Sequence, residues 1–156
     1  MLTEREFTDA VERYLDMVYR IALNRFRSVS DAEDAAQEVM LRMWKTDTAF
    51  GDDGGMRYWL VRVTVNVCRD MARNPWRRRT VSLDSCPEPV FREPAQSALF
   101  QAVMDLPSKY RLPLYLHYYE GYSAAEVGEL LGVKTSTVLT RLSRGRAKLK
   151  AQLEEE

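Results

Sequence analysis

Residues 120–150 read EGYSAAEVGELLGVKTSTVLTRLSRGRAKLK, and this stretch decides the fold of the C-terminal half of the chain. Ser123 and Glu126 have the spacing of a capping box, in which each side chain bonds the other residue's backbone amide. The helix that starts there is expected to end at Gly132, because glycine readily adopts the left-handed conformation that stops a helix. A second helix follows at about 135–149. Two helices joined by a short turn predict a helix-turn-helix.

The second of these helices is basic on its outer side. Residues 134–150 hold six Lys and Arg and no acid, while Val138, Leu142 and Leu149 recur as a buried stripe. The major groove of DNA admits one α-helix, whose side chains meet base edges while flanking cations meet phosphates. The candidate DNA contacts are Thr135, Ser136, Thr137, Thr140, Arg141, Arg144, Arg146 and Lys148. An ordinary helical hairpin with a cationic surface is the alternative.

Charge is distributed unevenly along this chain of 156 residues, whose net charge is zero. Besides the basic block at 134–150, residues 57–79 hold seven Arg against the single acid Asp70. Binding of a polyanion depends on local contacts rather than on net charge. Two compact basic blocks are therefore compatible with a nucleic-acid partner, although solvated helix faces would have the same composition.

The first 45 or so residues are predicted to form two helices. Apolar residues recur at three- and four-residue spacing from Phe7 to Phe26. A turn is expected near 27–29, because Ser30 and Glu33 have capping-box spacing. The second helix then runs from about Asp31 to Lys45. Its apolar stripe consists of Ala35, Ala36, Val39, Met40, Met43 and Trp44.

Residues 46–74 combine a loop with an ambiguous segment. The stretch 46–55 holds three glycines and two adjacent aspartates, which predicts a loop that can neither hold a helix nor pack in a core. From 56 to 74, valines alternate at period two as in a strand, but apolar residues also fit a helical stripe through Leu60, Val63, Val67 and Met71. Length favours a helix, since no other convincing strand exists to pair with.

Prolines separate the two halves of the chain. Asn74-Pro75 ends or restarts the third helix. Residues 80–94 contain three prolines with little periodicity, which predicts a partly extended linker. The predicted fold is all-α, with two small helical domains at 1–79 and 95–156 joined by this linker.

Two further helices are expected at the start of the second domain. The first spans Ala95–Asp105, with Leu99, Val103 and Leu106 on one face. The second spans Tyr110–Glu120, where a proline at position 113 is tolerable only near the first turn.

Two surfaces of the first domain are candidate binding sites. Four residues at helical spacing share one face of the second helix, with Asp31 one turn earlier. This face is either solvated or a docking surface for a basic partner, and it consists of Asp34, Gln37, Glu38 and Leu41. Aromatics interleave with arginines at 57–79, a composition that suits single-stranded nucleic acid, although Trp59 also suits the core. The candidate contacts are Tyr58, Trp59, Arg62, Asn66, Arg69, Arg73 and Arg77.

Catalytic chemistry is not expected. Two cysteines and one histidine exclude a disulfide scaffold and a Cys/His zinc cluster, and no phosphate-binding glycine motif occurs. No metal and no cofactor is predicted, and His117, among Leu and Tyr, is expected in the core or at an interface. The longest apolar stretches are far shorter than the roughly 18–20 residues of a membrane span, so no membrane insertion is expected.

The motifs, taken in order, resemble a known family. Residues 31–44, DAEDAAQEVMLRMW, closely resemble region 2.2 of the extracytoplasmic-function (ECF) bacterial sigma factors. Residues 58–70 are similar to their regions 2.3–2.4. The stretch from Leu106-Pro107 through the helix-turn-helix to Arg146 resembles their region 4. The resemblance covers nearly the whole chain, and the linker falls where the family has one.

The resemblance implies a cytoplasmic bacterial sigma factor that binds core RNA polymerase and directs it to specific promoters without being an enzyme. The acidic face, Asp31 included, would bind the β′ clamp helices. The loop at 46–56 and the helix after it would recognise and open the −10 element, and the last helix would read the −35 element beside the β flap. An anti-sigma partner is expected by resemblance alone.

Three positions depart from the family pattern, and one rival function stays open. Lys134 stands where a Ser usually caps the last helix, Leu139 where a Lys or Arg commonly faces DNA, and Gly145 where an Ala is usual. These departures weaken any inference that this chain shares the −35 sequence preference of other family members. The rival is a stand-alone helix-turn-helix regulator, which leaves the acidic face and the arginine-aromatic block unexplained.

Overall fold

The computed structural model describes residues 1–74 and 98–154, which are helical apart from short connections and contain no strand. The all-α prediction is thus confirmed. The chain divides into two compact units, residues 1–92 and 93–156. The predicted linker at 80–94, the domain edges at 79 and 95, and the candidate contact Arg77 lie outside the described residues.

The described residues of the N-terminal unit, 1–74, contain three helices, and each contacts the other two. They are α1 (Glu4–Phe26), α2 (Val29–Lys45) and α3 (Asp53–Ala72). The apolar stripes predicted for α1 and α2 supply its core, in which Val18, Ala22 and Val39 are fully buried. Trp44 is an exception, because more than a third of it is exposed and its ring edge packs against Phe7 at 4.9 Å.

The predicted cap at Ser30 is wrong by two residues. Arg27 takes the left-handed conformation that ends α1, and Ser28, which is extended, caps α2. The Ser28 hydroxyl accepts a hydrogen bond from the Asp31 amide at 3.2 Å. Ser28 and Ser30 each precede an acidic residue by three positions, so spacing alone could not choose between them. The tight turn at Arg27 decides, since it leaves Ser30 already inside the helix.

The loop predicted at 46–55 is too long, because α3 begins at Asp53 and includes Gly54 and Gly55. The Asp52 carboxylate caps the helix by accepting a hydrogen bond from the Gly55 amide at 2.7 Å. A Cβ atom at Gly55 would lie 2.6 Å from the carbonyl oxygen of Phe50. Gly55 therefore allows the loop to approach the helix closely, and it does not break the helix.

The segment at 56–74 is helical up to Ala72, as its length predicted. Leu60, Val67 and Met71 are buried, but so are residues outside the predicted stripe: Val61, Thr64, Val65 and Cys68. Because α3 contacts both α1 and α2, it buries a wide face, and this accounts for the strand-like alternation of valines. The buried Thr64 hydroxyl is satisfied by donating to the Leu60 carbonyl at 2.6 Å.

The described residues of the C-terminal unit, 98–154, contain four α-helices. They are α4 (Ala98–Met104), α5 (Ser108–Leu114), α6 (Ala124–Leu131) and α7 (Thr135–Glu154). A π-helical turn at Tyr115–Tyr119 continues α5. Helix α7 is in contact with α4, α5 and α6, so it forms the centre of this unit. None of the helices in the described residues of the chain is long and apolar enough to cross a membrane.

Two predictions for the start of this unit are wrong. Leu99 is 54% exposed rather than inward-facing, whereas Leu106, two residues past the end of α4 at Met104, is buried. The next helix starts at Ser108 instead of Tyr110, which places Pro113 in its interior. A proline there lacks the amide hydrogen of a regular helix, and the helix changes to π-helical pitch two residues later.

The helix-turn-helix is confirmed in its capping and its turn. The Glu126 amide donates to the Ser123 hydroxyl at 3.1 Å, and the Ser123 amide donates to the Glu126 carboxylate at 2.9 Å. Gly132 has φ 71° and ends α6. Val138 and Leu142 are buried as predicted, whereas Leu149 is only half-buried and α7 continues to Glu154.

Candidate nucleic-acid and partner interfaces

The acidic face of α2 divides into exposed and buried members. Gln37 is exposed, Leu41 is 45% exposed, and Asp34 and Glu38 are half-buried. Asp31 is only 6% exposed, because it lies in the first turn of α2 where the helix meets the core. Four of the five predicted docking residues are therefore accessible, while Asp31 is placed to support the start of the helix.

Arg42 links the acidic face to α3. Its Nε atom lies 3.2 Å from the Glu38 carboxylate, and another of its nitrogens lies 3.8 Å from the carboxylate of Asp70. Exposed pairs of this kind add little to stability. The pair with Glu38 instead fixes the orientation of a side chain, because Arg42 holds the Glu38 carboxylate along the α2 surface.

The arginine-aromatic candidates lie along α3. Tyr58, Trp59 and Asn66 are half-buried, whereas the candidate arginines on this helix are exposed: Arg62, Arg69 and Arg73. The Trp59 ring packs edge-to-face on Phe50 of the preceding loop at 5.2 Å. Trp59 thus braces the loop, a role that its aromatic composition alone did not reveal.

A network of polar side chains ties the start of α3 to α1. Tyr14 donates a very short hydrogen bond to the Asp53 carboxylate, and Arg13 pairs with the same carboxylate at 2.8 Å. The hydrogen bond from Tyr14, followed by that from Arg13, holds the pKa of Asp53 below its ordinary value of 3.8. Burial, and then the bond to Asp53, raises the pKa of Tyr14. A cavity of about 550 Å³ opens beside this network, between α1 and the 48–53 segment.

Five of the eight candidate DNA contacts of α7 line one groove. The groove has a volume of about 350 Å³, and its α7 wall consists of Ser136, Thr137, Thr140, Arg141 and Arg144. These residues recur at helical spacing, so one face of α7 presents them together. The Thr140 hydroxyl donates to the Ser136 carbonyl at 3.0 Å, which leaves its oxygen free to act as an acceptor towards the groove.

The other three candidates on α7 do not line the groove. Arg146 donates to the Tyr118 hydroxyl at 2.5 Å and lies 5.9 Å from the centre of that ring. Lys148 lies over the Tyr110 ring at 6.0 Å, and Thr135 is exposed at the start of the helix. Arg146 is thus engaged with the π-helical turn rather than with the groove.

Two residues of the groove were missed by the sequence analysis. Lys109 and Tyr110 of α5 form its other wall. Both precede the basic block at 134–150 by more than twenty positions, so the charge pattern along the chain gave no reason to place them beside it. The available signal was a Lys-Tyr pair beside the Leu106-Pro107 break.

The remaining groups with reactive side chains are Cys68, His117 and the carboxylates of the described residues. No group of three or more His, Cys, Asp or Glu side chains there could hold a metal ion. Burial raises the pKa of the Cys68 thiol to about 12, which keeps it protonated and unreactive. His117 is half-buried, with its Nδ1 atom 2.7 Å from the Tyr122 carbonyl oxygen.

Comparison with known proteins identifies the family. The model of sigma-70 region 2 matches residues 10–78, and that of sigma-70 region 4 matches residues 96–149. The chain is 34% identical to the ECF RNA polymerase sigma factor SigE of Mycolicibacterium smegmatis, covering 93% of this chain and 60% of the relative. It is 33% identical to the ECF sigma factor SigM of Mycobacterium tuberculosis, covering 92% and 74%.

A solved structure shows the same fold. The sigma factor RpoE from Bartonella quintana, crystallised in complex with the anti-sigma factor NepR, superposes with a TM-score of 0.72 at 22% identity, covering 96% of this chain and 98% of that one. The matches to both sigma-70 regions define the class as a sigma factor of the sigma-70 type. This chain belongs to the ECF RNA polymerase sigma factors.

Proposed function

We propose that this chain binds core RNA polymerase through α2 and directs it to promoters that its two units recognise. One observation supports the proposal: the N-terminal unit has an accessible acidic and apolar face on α2, while five residues predicted to contact DNA line one groove of the C-terminal unit. The polymerase would supply the nucleotidyl transfer, and this chain the choice of start site.

Docking on the β′ clamp helices would use Asp34, Gln37, Glu38 and Leu41. The carboxylates suit a basic partner helix, and the 45% exposed Leu41 offers apolar area at the C-terminal end of the face. Glu38 would exchange part of its pairing with Arg42 for a partner cation, because a desolvated charge pair is stronger than an exposed one.

Recognition and opening of the −10 element would use the 46–52 loop and α3. The exposed arginines Arg62, Arg69 and Arg73 suit the phosphate backbone, and Tyr58 is accessible for stacking. Trp59 packs against Phe50 and would act indirectly, by fixing the conformation of the loop.

Recognition of the −35 element would use the α7 groove. Arg144 is exposed and can bond two guanine acceptors at once, while Thr140 offers an acceptor to a base amino group. The β flap would be met by the same unit.

The relation to RpoE supports an anti-sigma partner as part of the proposal. That protein is held in a complex with NepR, and this chain has the same fold. Since its partner polymerase works in the bacterial cytoplasm, this chain would act there.

The test is reconstitution with core RNA polymerase. The purified chain should co-purify with core polymerase and should make it initiate on a subset of promoters from its own genome. A stand-alone helix-turn-helix regulator would bind DNA without making core polymerase initiate. Failure of co-purification together with specific DNA binding would favour that rival.

A further inference from the structure

The groove beside α7 has two walls that belong to different helices. Lys109 and Tyr110 of α5 face the α7 residues Ser136, Thr137, Thr140, Arg141 and Arg144. None of these seven lining residues is acidic, and three of them carry a positive charge. An anionic group entering the groove would therefore meet cations from both sides.

The Tyr110 ring fixes the position of two lysines. Tyr110 is 5% exposed, so its ring cannot move far. The Lys109 ammonium lies 5.1 Å from the ring centre and the Lys148 ammonium lies 6.0 Å from it. A cation over an aromatic face is weakly attracted to it, so both ammonium groups are drawn towards Tyr110, which lines the groove.

Gly145 accounts for the closeness of the two helices. A Cβ atom there would lie 3.0 Å from Leu114 Cδ1 and 3.3 Å from Tyr110 Cβ. The lack of a side chain lets α7 approach α5, and the approach brings Lys109 to the edge of the DNA-reading face. The departure from the family's usual alanine therefore has a packing role.

We propose that Lys109, which lies beside Lys148 at the Tyr110 ring, binds a backbone phosphate of duplex DNA at the edge of this groove. Helix α5, which lies outside the helix-turn-helix, is then part of the DNA interface. The inference rests on the proposed function of α7. Lys acts as a point charge on phosphate, so this contact holds the duplex in register without reading its sequence.

The test measures binding of the full chain to matched and scrambled −35 duplexes at several salt concentrations, by fluorescence anisotropy. Lys109→Gln should weaken binding to both duplexes by the same factor and lower the salt slope by about one unit. As salt rises from 50 to 200 mM, the ratio of the wild-type affinity to the Lys109→Gln affinity should fall about 3.5-fold, because the variant has lost one phosphate contact. Lys109→Arg should restore the slope.

Lys45→Gln is the matched control, because it removes one exposed positive charge from the other unit. If Lys109→Gln has the slope and affinity of Lys45→Gln, the inference is wrong. Arg144→Ala separates this failure from that of the proposed function. In one outcome, Arg144→Ala loses affinity only for the matched duplex, while Lys109→Gln binds like the control. Helix α7 would then still read the sequence, and α5 would not be part of the DNA interface.

Discussion

Tyr14 of α1 donates a short hydrogen bond to the carboxylate of Asp53, the first residue of α3. The two residues are 39 positions apart, and the bond closes the end of the 46–52 loop onto α1. Arg13 reinforces it through its ion pair with the same carboxylate. The loop proposed to recognise the −10 element is thus anchored at Asp53 and braced at Phe50 by Trp59.

Tyr14→Phe should destabilise the N-terminal unit by about 1 kcal/mol, the usual net contribution of one hydrogen bond. A double-mutant cycle with Asp53→Asn, followed by urea unfolding, measures the coupling between the two side chains. Additive effects of the two substitutions would show that the hydroxyl and the carboxylate do not depend on each other.

The same pair predicts a pH dependence. Because Tyr14, and then Arg13, lowers the pKa of Asp53 in the folded state, the carboxylate stabilises the fold at pH values above its ordinary pKa. This contribution is lost as the pH falls through the lowered pKa. The difference in unfolding free energy between wild type and Asp53→Asn should be constant near pH 7 and should shrink below about pH 3.8. A difference that grows with acidification would contradict this assignment.

Asp34→Lys should weaken the binding of core polymerase while leaving helical content unchanged. Loss of one desolvated charge contact typically costs about 2–5 kcal/mol of binding free energy. Asp16→Lys, which makes the same charge change at an exposed position of α1, is the control. Binding measured by surface plasmon resonance should fall only for Asp34→Lys; equal binding of both variants would remove α2 as the docking face.

Arg144→Ala and Arg146→Ala should differ in their effect on −35 recognition. Arg144 lines the groove, so its loss should cost about 1–3 kcal/mol on the preferred sequence and much less on scrambled DNA. Arg146 is engaged by Tyr118, so its loss should have a smaller effect on both. Titrations of the holoenzyme on matched and scrambled promoters measure this. Equal losses on both DNAs for Arg144→Ala would make it a phosphate contact.

Gly132→Ala should lower the stability of the C-terminal unit by about 1–2 kcal/mol, because a side chain is strained at φ 71°. Gly132→Asn should cost less, since Asn tolerates this conformation better. Gly54→Ala is a contrasting control: the added Cβ would have only Asp52 Oδ1 within 4 Å, at 3.8 Å. Thermal unfolding monitored by circular dichroism compares the three. A harmless Gly132→Ala would mean that the turn relaxes to another conformation.

Local sequence determined the parts of this protein whose cause lies within a few residues. The capping box at Ser123 and Glu126, the left-handed stop at Gly132 and the helical periodicity of α1, α2 and α7 all follow from neighbouring side chains. For the same reason the helix-turn-helix and the exposed acidic face of α2 could be predicted, and the ordered motifs pointed to the family.

Tertiary structure decided what depends on distant partners. The start of α3 at Asp53 is fixed by the cap at Asp52 and by the close approach of Phe50, against the expectation from three glycines. Asp31 is buried because α2 meets the core there. Lys109 joins the groove because Gly145 lets α7 approach α5 across more than thirty residues of sequence. Such contacts arise only when the helices pack, since no local pattern specifies which faces meet.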